Sequence, residues 1–317
     1  MVKNISICVL AYNVEKQITD VLNDLVTLEY PIYVIDDSST DETYEILKKY
    51  KTKINILKNS KNLGAGSSFK IISKHCIDKG ADFIVKVDGD GQFQLKDVIE
   101  ITKLLEEEDY DLVKSNRFWN GGIKGDIPKV RYMGNLIATL FLQLSGGTNL
   151  LHDPLNGLYG ISSKIVTLMD VKQYPKRYGY PFFITCGALV NNLKIYQINN
   201  VVVYGNQSSN IKVLRLFITL LRLSFYFYLQ KLNIKKKNAK WHRSLILDLV
   251  FLLNLLICLS LLILFTVSLN YSFSFVKINT LFFSFLMFLF ASALFLTLAY
   301  VEEKSIRNES INYEESF

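Results

Sequence analysis

The stretch "DFIVKVDGDGQFQ" (82–94) runs an apolar, β-branched segment directly into two aspartates separated by one glycine. In an extended strand, residues i and i+2 point to the same face. Asp88 and Asp90 therefore aim both carboxylates at one volume, where they repel each other unless a cation lies between them. Gly89 and Gly91 remove side-chain bulk, so a ligand can approach the backbone, and Gln92 adds a neutral oxygen on the same side. Hard oxygen donors of this kind suit Mg²⁺ or Mn²⁺, which bind one or two carboxylates together with substrate phosphates.

Working outward, the same pattern repeats. "ISICVLA" (5–11), "IYVIDD" (32–37), "INILKN" (54–59), "DFIVKVDGD" (82–90) and "DLVKSN" (111–116) read as strands. Between them, 15–28, 41–50, a segment from the turn "NLGAGS" to about Lys79, and 96–107 carry helical spacing. Strands alternating with helices predict βαβ units and an α/β domain with a mostly parallel sheet. Ligands of such sheets collect at the carboxyl ends of the strands. "LAYN", "DDSST" and "DGDGQ" all lie at such ends.

The 317 residues are half apolar and carry a formal net charge of +7. The apolar surplus concentrates late in the chain. Two runs, about Leu245–Leu269 and Thr280–Val301, each exceed the ~20 helical residues that cross ~30 Å of hydrocarbon. Lys231, Lys235, Lys236, Lys237, Lys240 and Arg243 precede the first run and read as a membrane flank, not a nucleic-acid patch. With Lys304 and Arg307 after the second run, the positive-inside rule predicts an integral membrane protein with two spans, its globular domain and both ends in the cytosol. Asp248, near the start of the first span, reads as a boundary residue. Before the spans, Lys212, Arg215, Thr219, Arg222 and Tyr226 make one narrow polar stripe on an otherwise apolar helix. Such a helix either faces a core or lies in the bilayer interface, and its place beside the spans favours the interface. The expected division is 1–209 globular domain, 210–243 juxtamembrane segment, 244–302 membrane hairpin and 303–317 cytosolic tail.

The four cysteines form no C-x-x-C pair and read as reduced thiols. The three histidines lack ligand spacing, the N-terminus has no signal-peptide cleavage pattern, and no P-loop, G-x-S-x-G or nucleic-acid motif occurs.

"LAYNVE" (10–15), "VIDDSSTDET" (34–43), "NLGAGSS" (62–68), "VDGDGQF" (87–93), "SNRFWNGG" (115–122) and "DPLNGLYGI" (153–161), in this order and spacing, resemble the inverting family 2 glycosyltransferases of the GT-A fold. The nearest pattern is that of the membrane-anchored dolichyl- and polyprenyl-phosphate sugar synthases. The resemblance covers about residues 4–212. It implies that Leu10, Tyr12, Asn13, Glu15, Asp36, Asp37, Lys86, Asp88, Gly89, Asp90 and Arg117 bind a nucleotide sugar. It further implies that Asp88, Asp90 and Gln92 hold Mg²⁺ or Mn²⁺, and that Arg117, Arg131 and Lys212 meet the lipid phosphate. Asp90, Arg117 and Asp153 are its catalytic candidates. Asp153 matches the family aspartate near the transfer point, where it orients the acceptor or balances arginines; a plain turn at Asp153-Pro154 is the alternative.

The implied reaction moves one sugar from a nucleotide sugar to a polyprenyl phosphate at the cytosolic membrane face. The leaving diphosphate gathers negative charge that a metal and arginines stabilise, and an acceptor phosphate needs positioning more than deprotonation. Another acceptor, such as a glycolipid or growing glycan, and a non-catalytic scaffold are the alternatives; a homo-oligomer stays open. Departures are Leu10 and Val14, where the family has proline and glutamate, and Tyr204 and Asn210, where it has arginine and lysine in R-x-x-G-x-S-K. Lys212 or Arg215 is placed to replace that charge.

Overall fold

The computed structural model describes residues 3–118, 123–124, 129–147, 151–200, 202–203, 213–237, 242–270, 275–307 and 311–313. The chain forms two compact units, residues 1–227 with 309–317, and residues 228–308.

The first unit opens with the predicted alternation: β1 (Ile5–Ala11), α1 (Ile18–Leu25), β2 (Ile32–Asp36), α2 (Thr43–Lys49), β3 (Asn55–Lys58), α3 (Ala65–Asp78), β4 (Phe83–Asp88), α4 (Leu95–Glu107) and β5 (Leu112–Asn116). It continues through β6 (Ile123–Lys124), α5 (Lys129–Gly146), β7 (Tyr159–Ser162), α6 (Ser163–Leu168), α7 (Tyr180–Val190), β8 (Ile195–Asn199) and β9 (Val202–Val203). A late strand, β10 (Ile311–Tyr313), completes a sheet of order β10-β8-β5-β7-β4-β1-β2-β3, while β6 and β9 pair separately. All pairings in the large sheet are parallel except those of β7, which runs antiparallel between β4 and β5.

Every residue of β1 is buried, as expected of a strand covered on both faces. Ile7 and Val9 pack with Val34, Val85 and Val87, and Ile18, Leu22 and Leu25 bring one apolar stripe of α1 onto this core. α1 starts three residues later than the spacing predicts. The amides of Val14 and Glu15 are bonded instead by Thr43 Oγ1 and Asp41 Oδ2, so they belong to the turn after β1.

α8 (Val213–Lys237) begins in the first unit. There it buries Leu220, Leu223 and Phe227 and exposes Leu214, Ile218, Leu221 and Phe225.

The second unit holds the end of α8 with α9 (His242–Asn270) and α10 (Phe275–Arg307), which enclose both expected spans. Val213–Lys237, His242–Val267 and Asn279–Glu303 are long and apolar enough to cross a membrane, one more than the sequence reading anticipates. Asp248 is a correction. It is fully buried and accepts hydrogen bonds from the Lys235 ammonium and, at 3.1 Å, from the Tyr228 hydroxyl. Lys235 also meets Glu303 and Ser244 (2.7 Å), and Lys231 lies 3.2 Å from Glu303 and 3.7 Å from Asp248. Lys231 and Lys235 are therefore buried ion partners and not part of an exposed basic flank. The sequence could not place their partners, which lie on two other helices, α9 and α10.

Candidate active site

Three strand ends meet. Asp37 N donates to Ala11 O and Gly89 N donates to Leu10 O, both at 2.9 Å, and Leu10 is the register partner of Asp88. These contacts knit the ends of β1, β2 and β4 into one edge of a cleft of about 1410 Å³. Leu10, Tyr12, Asp37, Asp88, Gly89 and Asp90 line it. Tyr12 is 46% exposed and presents an open ring there, suited to stacking on a base.

Other predicted nucleotide contacts act as staples, and of these Asn13, Glu15 and Asp36 lie outside the cleft lining. Asn13, at φ 53°, accepts from Thr40 N (2.8 Å) through Oδ1, and its amide donates to Ser39 Oγ. Glu15 Oε2 accepts from Glu42 N at 3.0 Å. Both tie the turn after β1 to the start of α2. Asp36 is buried and accepts from the amide and hydroxyl of Ser39. Asp37 accepts from Asn59 Nδ2 (2.8 Å), Leu63 N (2.9 Å) and Gly64 N (2.8 Å), which fixes the turn "NLGAGS" against β2.

Lys86 is fully buried, and its Nζ lies 2.5 Å from Asp88 Oδ1. Gly157 closes over this pair, because a Cβ there would sit 2.5 Å from Asp88 Oδ2 and 2.8 Å from Lys86 Nζ. Burial, then the neighbouring charge of Asp88, pushes the Asp90 carboxyl up to about 6. A cation between the two would remove that repulsion. Among the described residues no cluster of three or more His, Cys, Asp or Glu side chains exists, so the protein offers a carboxylate pair and no full cage. That donor set fits Mg²⁺ or Mn²⁺ completed by phosphate oxygens and water. Gln92 is outside the cleft lining, and its amide donates to Asp90 Oδ1 at 3.2 Å.

Asp153 and Arg117 come together, as an ion pair outside the cleft lining. Arg117 Nε reaches Oδ2 and Nη2 reaches Oδ1, each at 2.8 Å, and Arg117 N adds a 3.0 Å bond. Asp153 is wholly buried at φ 50°. Burial, the largest single influence, would raise its carboxyl; the charge and hydrogen bonds of Arg117, with the Lys114 ammonium, together hold it below its usual value. Such a group is a poor general base. Lys114, also buried, donates to the carbonyls of His152 (3.0 Å) and Asp153 (2.9 Å), and burial pulls its ammonium down to about 8 against the opposing pull of Asp153. The Arg131 side chain, Lys212, Tyr204 and Asn210 lie outside the described residues.

The cleft also has a set of lining residues that the sequence reading largely missed: Lys172, Lys176 and Arg177 from the loop before α7, with Arg215, Thr219 and Arg222 from α8. The polar stripe on α8 was legible, but its direction was not. The "YPKRYGY" stretch (174–180) carries in sequence only a basic pair, Lys176-Arg177, with no spacing that points to a cleft.

Residues 6–161 match the Glycosyl transferase family 2 model of conserved sequence. The UDP-N-acetylglucosamine–dolichyl-phosphate N-acetylglucosaminyltransferase of Methanococcus voltae is 28% identical over 192 residues, 56% of this chain and 76% of that protein. A relative from Methanocaldococcus jannaschii is 31% identical over 140 residues, and the match spans 43% of this chain and 59% of that protein. Among solved structures, glucosyl-3-phosphoglycerate synthase from Mycobacterium tuberculosis, crystallised with Mn²⁺, UDP-glucose and phosphoglyceric acid, superposes with a TM-score of 0.54 at 19% identity, over 70% of this chain and 80% of that one. This likeness is one of fold. With strand ends, carboxylate pair and cleft arranged on that GT-A fold, the chain is a glycosyltransferase whose residues 6–161 form a glycosyl transferase family 2 domain.

Proposed function

We propose that this glycosyltransferase moves one sugar, with inversion, from a nucleotide sugar to a polyprenyl phosphate at a membrane surface. The observation that carries this reading is the cleft, which brings an exposed aromatic ring, a carboxylate pair and a set of basic side chains to one place. The dolichyl-phosphate substrate named for the Methanococcus voltae relative supports the choice of acceptor.

Tyr12 stacks on the base of the donor. Asp88 and Asp90 would hold Mg²⁺ or Mn²⁺, which neutralises charge on the diphosphate. An acceptor phosphate oxygen attacks the anomeric carbon from the far side. The bond from that carbon to the diphosphate oxygen breaks, and its electron pair leaves with the nucleoside diphosphate. The attacking oxygen is already anionic, so no side chain needs to remove a proton. Asp153 accordingly serves to hold Arg117, and Arg117 with Arg131 and Lys212 remain the candidate lipid-phosphate contacts.

Two observations support the membrane setting. In the first unit, α5 exposes Met133, Leu136, Ile137 and Leu140, and α8 exposes Leu214, Ile218, Leu221 and Phe225. Phe141 and Phe217, with ring centroids 5.7 Å apart, join the two helices. A paired apolar surface of this kind suits the bilayer interface. The second observation is the pairing of β10 with β8. Both strands belong to one sheet and so lie on one side of the bilayer, which requires an even number of crossings between residues 199 and 311. That parity supports α9 and α10 as the two spans, with α8 at the interface. The rest of the basic flank, Lys236, Lys237, Lys240 and Arg243, then favours a cytosolic cleft.

The deciding experiment incubates purified full-length protein with polyprenyl phosphate and a panel of labelled nucleotide sugars, with Mn²⁺ or EDTA, beside Asp90→Ala. A chloroform-soluble labelled product that requires both metal and Asp90 is expected. Donor binding without lipid product would redirect the reading to another acceptor, and absence of donor binding would leave a scaffold role.

A further inference from the structure

The basic side chains of the cleft have a construction of their own. Lys172, Lys176, Arg177, Arg215 and Arg222 all line it, and among the described residues none of the five forms an ion pair. Of the cleft's carboxylates, Asp37 bonds Asn59 and the "NLGAGS" turn, Asp88 pairs with Lys86, and Asp90 accepts from the Gln92 amide. Exposed like charges gathered in one concavity repel one another unless an anion occupies it.

The loop that carries Lys176 and Arg177 is fixed by backbone, not by its charges. Ser67 N donates to Lys176 O at 2.8 Å and Gly66 N to Arg177 O at 3.2 Å, so the loop caps the first turn of α3. The fit tolerates no side chain beneath it. A Cβ at Gly64 (φ 92°) would lie 2.4 Å from Arg177 Cγ, and one at Gly66 would lie 2.1 Å from Pro175 O. The two glycines of "LGAG" thus serve to seat a basic loop, and the positive end of α3 sits directly under it. From the other side, Arg215 and Arg222 project from one stripe of α8 into the same cleft.

We propose that Lys176, Arg177, Arg215 and Arg222 form a phosphate-binding wall of the cleft, distinct from the Asp88–Asp90 edge. Arginine suits this task because its planar fork binds phosphate oxygens in pairs. The phosphate comes from the donor's diphosphate or from the acceptor, and only that choice of source rests on the sugar-transfer reading above. The wall supplies cationic charge from residues other than the altered Tyr204–Asn210 segment.

The test uses full-length protein in detergent and three probes: inorganic pyrophosphate, UDP with Mn²⁺, and farnesyl phosphate. Binding is titrated calorimetrically for wild type, Arg177→Gln, Arg215→Gln/Arg222→Gln, and Lys103→Gln on the exposed face of α4 as control. The altered side chains are exposed, and unchanged melting temperatures check folding. Arg177→Gln is expected to weaken at least one probe about tenfold and the double variant more, with Lys103→Gln unchanged. A loss confined to pyrophosphate and UDP assigns the wall to the donor, and a loss confined to farnesyl phosphate assigns it to the acceptor. Wild-type affinity in both wall variants for every probe overturns the proposal, as does failure of wild type to bind any of the three. Arg177-dependent pyrophosphate binding without any lipid-linked sugar product would keep the wall and discard the polyprenyl-phosphate reading.

Discussion

Gly157 stands against Asp88 with no room for a methyl group: a Cβ would come within 2.5 Å of the carboxylate oxygen. The backbone there is not left-handed, so alanine is sterically excluded by its neighbour and not by its own conformation. Gly157→Ala should push Asp88 away from Lys86. Overpacking of this kind costs ~1–3 kcal/mol. About a tenfold loss of Mn²⁺-dependent nucleotide-sugar affinity is expected, with circular dichroism unchanged. Wild-type affinity would show that Asp88 is not held from this side.

The buried Arg117–Asp153 pair predicts an acid-sensitive fold. Removing one partner of such a pair costs ~3–5 kcal/mol, so Asp153→Ala should lower the melting temperature sharply. The sign with pH follows from the lowered carboxyl. On acidification the unfolded chain takes up this proton before the folded one does. The stabilisation is complete above the unfolded value and is lost as pH falls through the folded one. Thermal melts between pH 7 and pH 3 should show wild type losing stability toward acid and Asp153→Asn losing less. Parallel pH curves for the two proteins would contradict this account.

The four-charge cluster of the second unit makes a different prediction. Asp248→Leu alone leaves the two buried ammonium groups of Lys231 and Lys235 with one carboxylate, Glu303, between them and should destabilise by ~3 kcal/mol or more. Asp248→Leu combined with Lys235→Met removes one charge of each sign and should recover much of that loss. Detergent-solubilised melting of both variants measures it, and additive effects would mean the cluster is not coupled.

The two crossings proposed above can be tested directly by labelling. In a background lacking the native cysteines, Ser272→Cys between α9 and α10 should react with a membrane-impermeant maleimide from one side of sealed vesicles. Ser310→Cys, beyond α10, should react only from the other. Labelling of both from the same side would refute the two-span arrangement.

Much of the first unit was legible because its strands and helices are local and periodic. β1 to β5 and α2 to α4 fall within a few residues of their predicted ranges, each marked by a buried run or an amphipathic spacing. What escaped depends on distant partners. β7 is a four-residue strand slipped antiparallel between β4 and β5, and α7 is buried on every side, so it has no polar face to betray its period. Among site residues, Asp88 and Asp90 both reach the cleft, although β4 ends at Asp88 and Asp90 lies in the turn beyond it. The roles of Asn13 and Glu15 as staples, of Asp248 as an ion partner, and of Arg177 on the cleft required the chain to be folded first.

β10 has a consequence for the order in which the protein is made. The sheet's outermost strand is encoded after the whole apolar hairpin, so β8 stays an open edge until residues 311–313 leave the ribosome. At ~5–20 residues per second that interval is on the order of ten seconds, during which an unpaired strand edge is a template for unwanted association. On the two-span arrangement proposed above, insertion of α9 and α10 would fall within the folding of this sheet, and a nascent chain stalled in the hairpin would carry a cleft but not a closed sheet.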